Sequence, residues 1–140
     1  MPEAERHFRI LPALTPENEH FWTGGVHGEL RMLRCRPCGT WIHPPSPICP
    51  SCLAKDREVA ALSGRARVVS YTVNHQPWIP GFPPPYVIAI VEFPEQAGLR
   101  LTTNLVNCEA ESVRIGMAVR VVFEPHDAVY LPLFEPEPRA

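Results

Sequence analysis

Leu33-Arg34-Cys35-Arg36-Pro37-Cys38-Gly39 and, with ten residues between its second cysteine and the next, Cys49-Pro50-Ser51-Cys52 decide how this chain is read. Each Cys-x-x-Cys turn offers two thiolates to one ion, and the loop between the turns is long enough to form a hairpin that brings the second pair back to the first. Zinc takes four such ligands tetrahedrally at about 2.3 Å, which leaves no position for water or substrate. The spacing therefore predicts a structural Zn2+ site at Cys35, Cys38, Cys49 and Cys52. Tetrahedral thiolates also suit iron in a rubredoxin-like site, and that alternative would point to electron transfer. In so small a module the metal supplies folding free energy that a thin core does not.

Upstream of this block, Thr15-Pro16-Glu17 is a helix start: a hydroxyl at the N-cap, proline at the first helical position, then an acid favoured by the helix dipole. The helix should run to about Thr23 and stop at Gly24-Gly25, with Phe21 and Trp22 as its large apolar groups. Residues 30 to 34 alternate as a short strand that enters the first cysteine pair.

Downstream, Ser63-Gly64 marks a boundary, and five strands are expected beyond it. They cover 65–73, 86–93, 99–106, 118–124 and 129–134. The second, nearly all apolar, reads as buried on both faces. The third alternates, with Leu99, Leu101, Thr103 and Leu105 on one face. A helical turn at 109–113 separates the third strand from the fourth, which is the order of an OB-fold barrel. The chain is thus expected to be mainly β, in three parts: an N-terminal helical segment over 1–29, a rubredoxin-like zinc ribbon over 30–62, and a five-stranded OB-fold over 63–140.

The bulk numbers set limits. With 45% hydrophobic residues in 140, a packed core is possible. A formal net charge of -2 argues against nucleic acid as the main partner. No stretch approaches the roughly 20 apolar residues of a membrane helix, and no signal-peptide apolar region is present, so the protein reads as cytoplasmic, with no membrane contact. Four cysteines at metal spacing fit a reducing compartment. The 18 prolines gather in 44–50, 77–85 and 125–138, which read as stiff extended segments.

A search for catalytic machinery returns little. The six histidines are His7, His20, His27, His43, His75 and His126, and none falls at a recognised ligand or triad spacing. Cys108 has no adjacent histidine and reads as a small buried hydrophobe. There is no GxSxG, no phosphate-cradling loop and no dinucleotide fingerprint. No catalytic residue is assigned.

The segment Trp78-Ile79-Pro80-Gly81-Phe82-Pro83-Pro84-Pro85-Tyr86 joins the first two barrel strands. Apolar groups on an exposed loop mark a binding surface, and in an OB-fold this loop borders the ligand face. Trp78, Phe82, Pro85 and Tyr86 are therefore expected to face a substrate or partner. The competing reading folds Trp78 and Phe82 back onto the zinc ribbon.

Taken in order, these stretches resemble the zinc-ribbon plus OB-fold proteins associated with acyl-CoA metabolism, long described as a domain of unknown function. The resemblance spans about Glu17 to Pro136. It rests on Phe21-Trp22, the two cysteine turns, Pro44-Pro45, Gly64 with Val68 and Ser70-Tyr71-Thr72, Pro85-Tyr86, Ile115-Gly116 and Leu131-Pro132-Leu133-Phe134. The family pattern usually has a basic residue after the double proline, where this chain has Ser46 and Pro47.

The resemblance implies a non-catalytic accessory subunit in a hetero-oligomer with a thiolase-like protein: a lipid-transfer-protein-like retro-aldolase, a thiolase or an acyltransferase, or else a hydratase. Its complex would act on acyl-CoA thioesters, among them those of steroid side chains, with Phe21 and Trp22 at the partner interface. The alternative reading is a single-stranded nucleic-acid module in which Arg31, Arg34, Arg36, Arg65 and Arg67 form a local basic patch.

Overall fold

The computed structural model describes residues 9–138. A short helix, α1 (Glu19–Thr23), runs directly into a 3-10 turn at Gly24–His27, and Gly28 ends it at φ 69°. The start differs from the sequence expectation. Thr15 does not cap a helix; residues 15–18 form a turn closed by Asn18 N–H and Glu19 N–H on the Thr15 carbonyl. Asn18 is the cause. Its side chain accepts from the Thr15 N–H at 2.8 Å and donates to the Ala13 carbonyl at 3.1 Å, so it holds the backbone in a turn that competes with the helix.

The ribbon is a three-stranded antiparallel sheet of β1 (Arg31–Cys35), β2 (Trp41–Ile42) and β3 (Arg57–Ala61), with β1 in the centre. β3 was not expected from sequence. It is an edge strand, half exposed, and its Arg-Glu-Val-Ala-Ala run carries no clean alternation. Its register sets Cys35 against Arg57 and Leu33 against Val59.

The remaining strands close a five-stranded barrel in the order β4-β5-β6-β8-β7. They are β4 (Arg65–Asn74), β5 (Tyr86–Glu92), β6 (Arg100–Leu105), β7 (Ala118–His126) and β8 (Val129–Pro136). β4 is long and bulged between Val68 and Ser70, which lets one end pair with β7 while the rest pairs with β5. The parallel bridge of Leu105 with Phe134 completes the ring, and a 3-10 turn at Ala110–Ser112 lies between β6 and β7. β5 departs from expectation: Val87, Ala89 and Val91 enter the core, but Tyr86, Ile88 and Ile90 are only half-buried on the other face.

One core runs through all three parts. Phe21 from α1 and Leu30, Met32 and Trp41 from the ribbon join Val68, Val91, Phe93, Val119 and Phe134 of the barrel. Period-2 alternation along β1 explains the join, because Met32 turns to the barrel while Leu33 and Cys35 turn to a second, small cluster with Ile42 and Cys49. Gln96, in the β5–β6 connection, pins the joint. Its side-chain oxygen accepts from the Trp41 N–H at 2.9 Å and its amide donates to the Trp41 carbonyl at 3.1 Å.

Gly25 shows how tightly the N-terminal turn sits on the barrel. A Cβ there would lie 2.4 Å from the Tyr130 Cβ and 2.8 Å from the Phe123 ring. Gly25→Ala should therefore cost about 1–3 kcal/mol through overpacking, read as a lower thermal midpoint with the metal retained. An unchanged midpoint would show that this packing is loose.

Candidate functional site

The two cysteine turns are built alike. Gly39 N–H donates to the Cys35 carbonyl and Leu53 N–H to the Cys49 carbonyl, each at 2.9 Å. Both turns end in the left-handed region, Gly39 at φ 77° and Leu53 at φ 65°. The first spends a glycine on this position, and the second holds a leucine there despite the strain. The return contacts match as well: Cys35 N–H to Thr40 at 2.8 Å and Cys49 N–H to Ala54 at 2.9 Å.

The four Sγ atoms all lie within 4.8 Å of one another, with Cys35–Cys52 at 3.5 Å and Cys38–Cys49 at 3.6 Å. A tetrahedron of sulfurs about 2.3 Å from a central ion has edges of about 3.8 Å, so the donor set fits Zn2+ closely. Cys35 and Cys49 are buried beneath the ribbon, and Cys38 and Cys52 are exposed. The thiols do not share protons evenly. The Thr40 hydroxyl and N–H stabilise the Cys38 thiolate and bring that thiol down to about 6. The Cys38 N–H favours the Cys35 thiolate, yet burial and the neighbouring cysteines outweigh it and push Cys35 up to about 12. An ion between them supplies the charge that lets all four ionise together.

Beside the ribbon, His43 stacks on Phe21 with ring centroids 4.8 Å apart. Its Nδ1 and the Nε2 of His20 are buried without a partner. Burial, helped by His20, lowers His43 to about 4. The structure thus uses His43 as a neutral packing ring.

The proline loop does not fold onto the ribbon. Trp78 stands 71% exposed, its indole N–H donating to Asn74 at 2.9 Å. Phe82 is buried on the barrel instead, edge-on to Tyr86 at 4.5 Å and under the Arg9 guanidinium at 4.5 Å. Pro85, Tyr86 and Phe82 line a cleft of about 700 Å³. Phe21, at 3% exposure, lies in the core, and Trp22 is half-buried beside it.

A polar network at the cleft was not legible in the sequence. Arg9 Nε donates to Glu124 at 2.9 Å, Arg9 Nη1 to Asn104 at 2.8 Å, and His126 Nε2 lies 2.7 Å from the same Glu124 oxygen. Burial raises the Glu124 carboxyl, and the bonds from Arg9 and His126 outweigh it and hold that carboxyl below the usual range. His7 lies outside the described residues. Cys108 is half-buried at the cleft wall, and burial raises its thiol.

The arginines named as a basic patch are engaged. Arg31 pairs with Glu29, Arg36 with Asp56 and Glu58, and Arg65 with Glu137. Arg34 lies over Trp41 and donates to the Gly39 carbonyl, and Arg67 donates to the Gly116 carbonyl.

Two family profiles match the chain, "ChsH2, rubredoxin-like zinc ribbon domain" over residues 22–57 and "ChsH2, C-terminal OB-fold domain" over residues 59–124. Among solved structures, a chain of the "Ltp2-ChsH2(DUF35) aldolase" superposes with a TM-score of 0.81 at 38% identity, covering 90% of this chain and 98% of that one. A DUF35 domain-containing scaffold protein of Methanothermobacter thermautotrophicus is 40% identical over 64% of this chain and 68% of its own. A probable enoyl-CoA hydratase alpha subunit of Thermomonospora curvata is 38% identical over 91% of this chain, which spans only 40% of that relative's length. The chain belongs to the ChsH2/DUF35 family of zinc-ribbon and OB-fold proteins.

Two outcomes follow from the geometry. Cys35→Ser, or extraction of the ion by a chelator, should lose the metal and unfold the ribbon; metal analysis and circular dichroism check this, and a fully stable metal-free protein would refute it. His43 carries a lowered folded value against 6.5 when unfolded, so its contribution is complete above about pH 6.5 and is lost as the pH falls towards 4. The loss should reach about 2 kcal/mol at pH 5, and His43→Gln should flatten this part of the stability–pH curve.

Proposed function

We propose that this chain is a non-catalytic accessory subunit of an acyl-CoA-processing complex, bound to a thiolase-fold partner of the lipid-transfer-protein-like retro-aldolase kind. The observation that carries the reading is the match over 98% of a chain from an aldolase complex. The geometry supports it: the four thiolates stand at the spacing of a closed tetrahedral site, and the proline loop exposes Trp78 while its Phe82 and Pro85 line a cleft. The partner would carry the catalytic residues. This subunit would stabilise the partner and contribute Phe82, Pro85 and Tyr86 to the wall of the acyl site, with Trp78 near it at the partner contact and Trp22 at the edge of the interface. Because Phe21 is buried, its part in any interface is to seat Trp22.

The substrate we propose is the CoA thioester of a steroid side chain. One relative, from Mycobacterium tuberculosis, is named a 3-oxo-4,17-pregnadiene-20-carboxyl-CoA hydratase alpha subunit and is 35% identical over 81% of this chain. Four thiolates that must stay reduced to hold an ion suit the cytoplasm. Among the described residues no helix is long and apolar enough to cross a membrane.

Co-expression with a thiolase-fold protein encoded beside it should give one heteromer on size exclusion, with turnover of an acyl-CoA aldol dependent on both chains. Two separately soluble, fully active proteins would defeat the proposal. Trp78→Ala should weaken assembly by about tenfold, as loss of an exposed aromatic anchor does, with the melting midpoint of the isolated chain unchanged. Unaltered affinity would remove Trp78 from the interface.

A further inference from the structure

The β7–β8 hairpin carries an anomaly on one face. Its register opposes Arg120 to Glu135, Val122 to Leu133 and Glu124 to Leu131. Opposed residues of an antiparallel pair share a face, and this one is turned away from Val119, Val121 and Phe134, which belong to or pack against the core. At one end the face is what a solvated barrel exterior should be: Arg120 and Glu135 form an ion pair at 2.7 Å. One pair further along it becomes apolar. Leu133 is only 6% exposed although it belongs to neither core cluster, and Phe82 is buried outside those clusters in the same way. The cleft of about 700 Å³ lies against both. Tyr86, Leu105 and Val106 also line it, together with the polar Asn104, Asn107 and Cys108. That size is in the range of small-molecule sites, which combine apolar walls with a few placed polar groups.

Charge decides what such a cleft accepts. Arg9 is the one cationic side chain among the described residues of the lining, and it is already committed: Glu124 takes its Nε, Asn104 takes its Nη1, and Phe82 lies against its face. Glu124 is in turn held by Arg9 and His126. Glu109 adds a second carboxylate at the rim. Among the described residues of the lining, a phosphate would meet two acids and no uncommitted cation, whereas a neutral hydrocarbon would pack against Val122, Leu133 and Phe82 without opposing either carboxylate.

We infer that this cleft on the outer face of β7–β8 is a binding site for an uncharged apolar body, an alkyl chain or a fused ring system. Within the proposed function it receives the acyl portion of the thioester, and the nucleotide portion lies elsewhere. That last assignment rests on the acyl-CoA reading; the preference for neutral apolar ligands does not.

The test uses the metal-loaded full chain and N-phenyl-1-naphthylamine, a neutral fluorescent probe. Binding should be saturable at one site per chain. Decanoyl-CoA below its micellar concentration should displace the probe, and free coenzyme A should not. Val122→Trp and Val106→Trp each add bulk to the lining; each should weaken probe binding at least about tenfold, with metal content and thermal midpoint kept as checks on folding. Failure of the wild-type chain to bind the probe, equal binding by both variants, or displacement by free coenzyme A would overturn the inference. Displacement by the thiolase-fold partner but not by decanoyl-CoA would overturn it too, in favour of a protein side chain as occupant. Co-purification of the variants with the partner is scored separately, so loss of the cleft and loss of the complex are distinguishable.

Discussion

Strand β1 has to face two ways, and the rest of the structure depends on it. Leu33 and Cys35 look towards the four sulfurs, and Met32 looks into the barrel core. The side facing the metal has too few apolar residues to stand by itself, since its buried members are Leu33, Cys35, Ile42 and Cys49. An ion bound by four thiolates provides there the cohesion that packing provides on the other side. Because Leu30, Met32 and Trp41 are shared with the barrel, a failure at the sulfurs exposes part of the barrel's own core. Metal and barrel are thus energetically joined through the first two strands of the ribbon and the residue that leads into them.

The polar groups near the cleft follow a similar logic of closure. A nearly buried ion pair such as Arg9 with Glu124 costs desolvation and gains little net stability over an apolar replacement. Its value lies in where it fixes things. Arg9 joins the segment before α1 to β6 through Asn104 and to β7 through Glu124, and it lies over Phe82 of the proline loop. One guanidinium therefore holds three separate parts of the chain around one cleft, in the bidentate, stacking role for which arginine is suited.

Much of this architecture could be read from the residues alone. The cysteine spacing carried the metal site, because two Cys-x-x-Cys turns must meet at one ion. Alternation and turn residues carried the five barrel strands, whose ends differ from the reading by one or two positions in most cases. What escaped has physical reasons. Asn18 overrode the Thr15 cap through side-chain bonds that a propensity argument does not weigh. β3 escaped because an edge strand needs no alternating pattern. The Arg9–Glu124–His126 network escaped because its partners lie up to 115 residues apart in sequence, and only the closed barrel brings them together. Phe82 and Trp78 look equivalent in sequence; the structure separates them, burying the first against Tyr86 and leaving the second in solvent.

That separation bears on how the loop can work. An exposed aromatic side chain on a flexible loop would lose much of its binding energy to ordering. Here Pro77, Pro80, Pro83, Pro84 and Pro85 restrict the backbone before any partner arrives. Phe82 fastens the middle of the loop to the barrel, and Asn74 holds the Trp78 indole at its base. The backbone that carries the ring is therefore restrained in advance, which lowers the ordering cost when the ring is covered. The same fastening sets the height of the cleft wall, since Phe82 is both the anchor of the loop and one side of the cavity. A partner that covers Trp78 would thus rest against the loop that bounds the apolar cleft, which is the arrangement a subunit needs if it is to shape a site whose chemistry belongs to another chain.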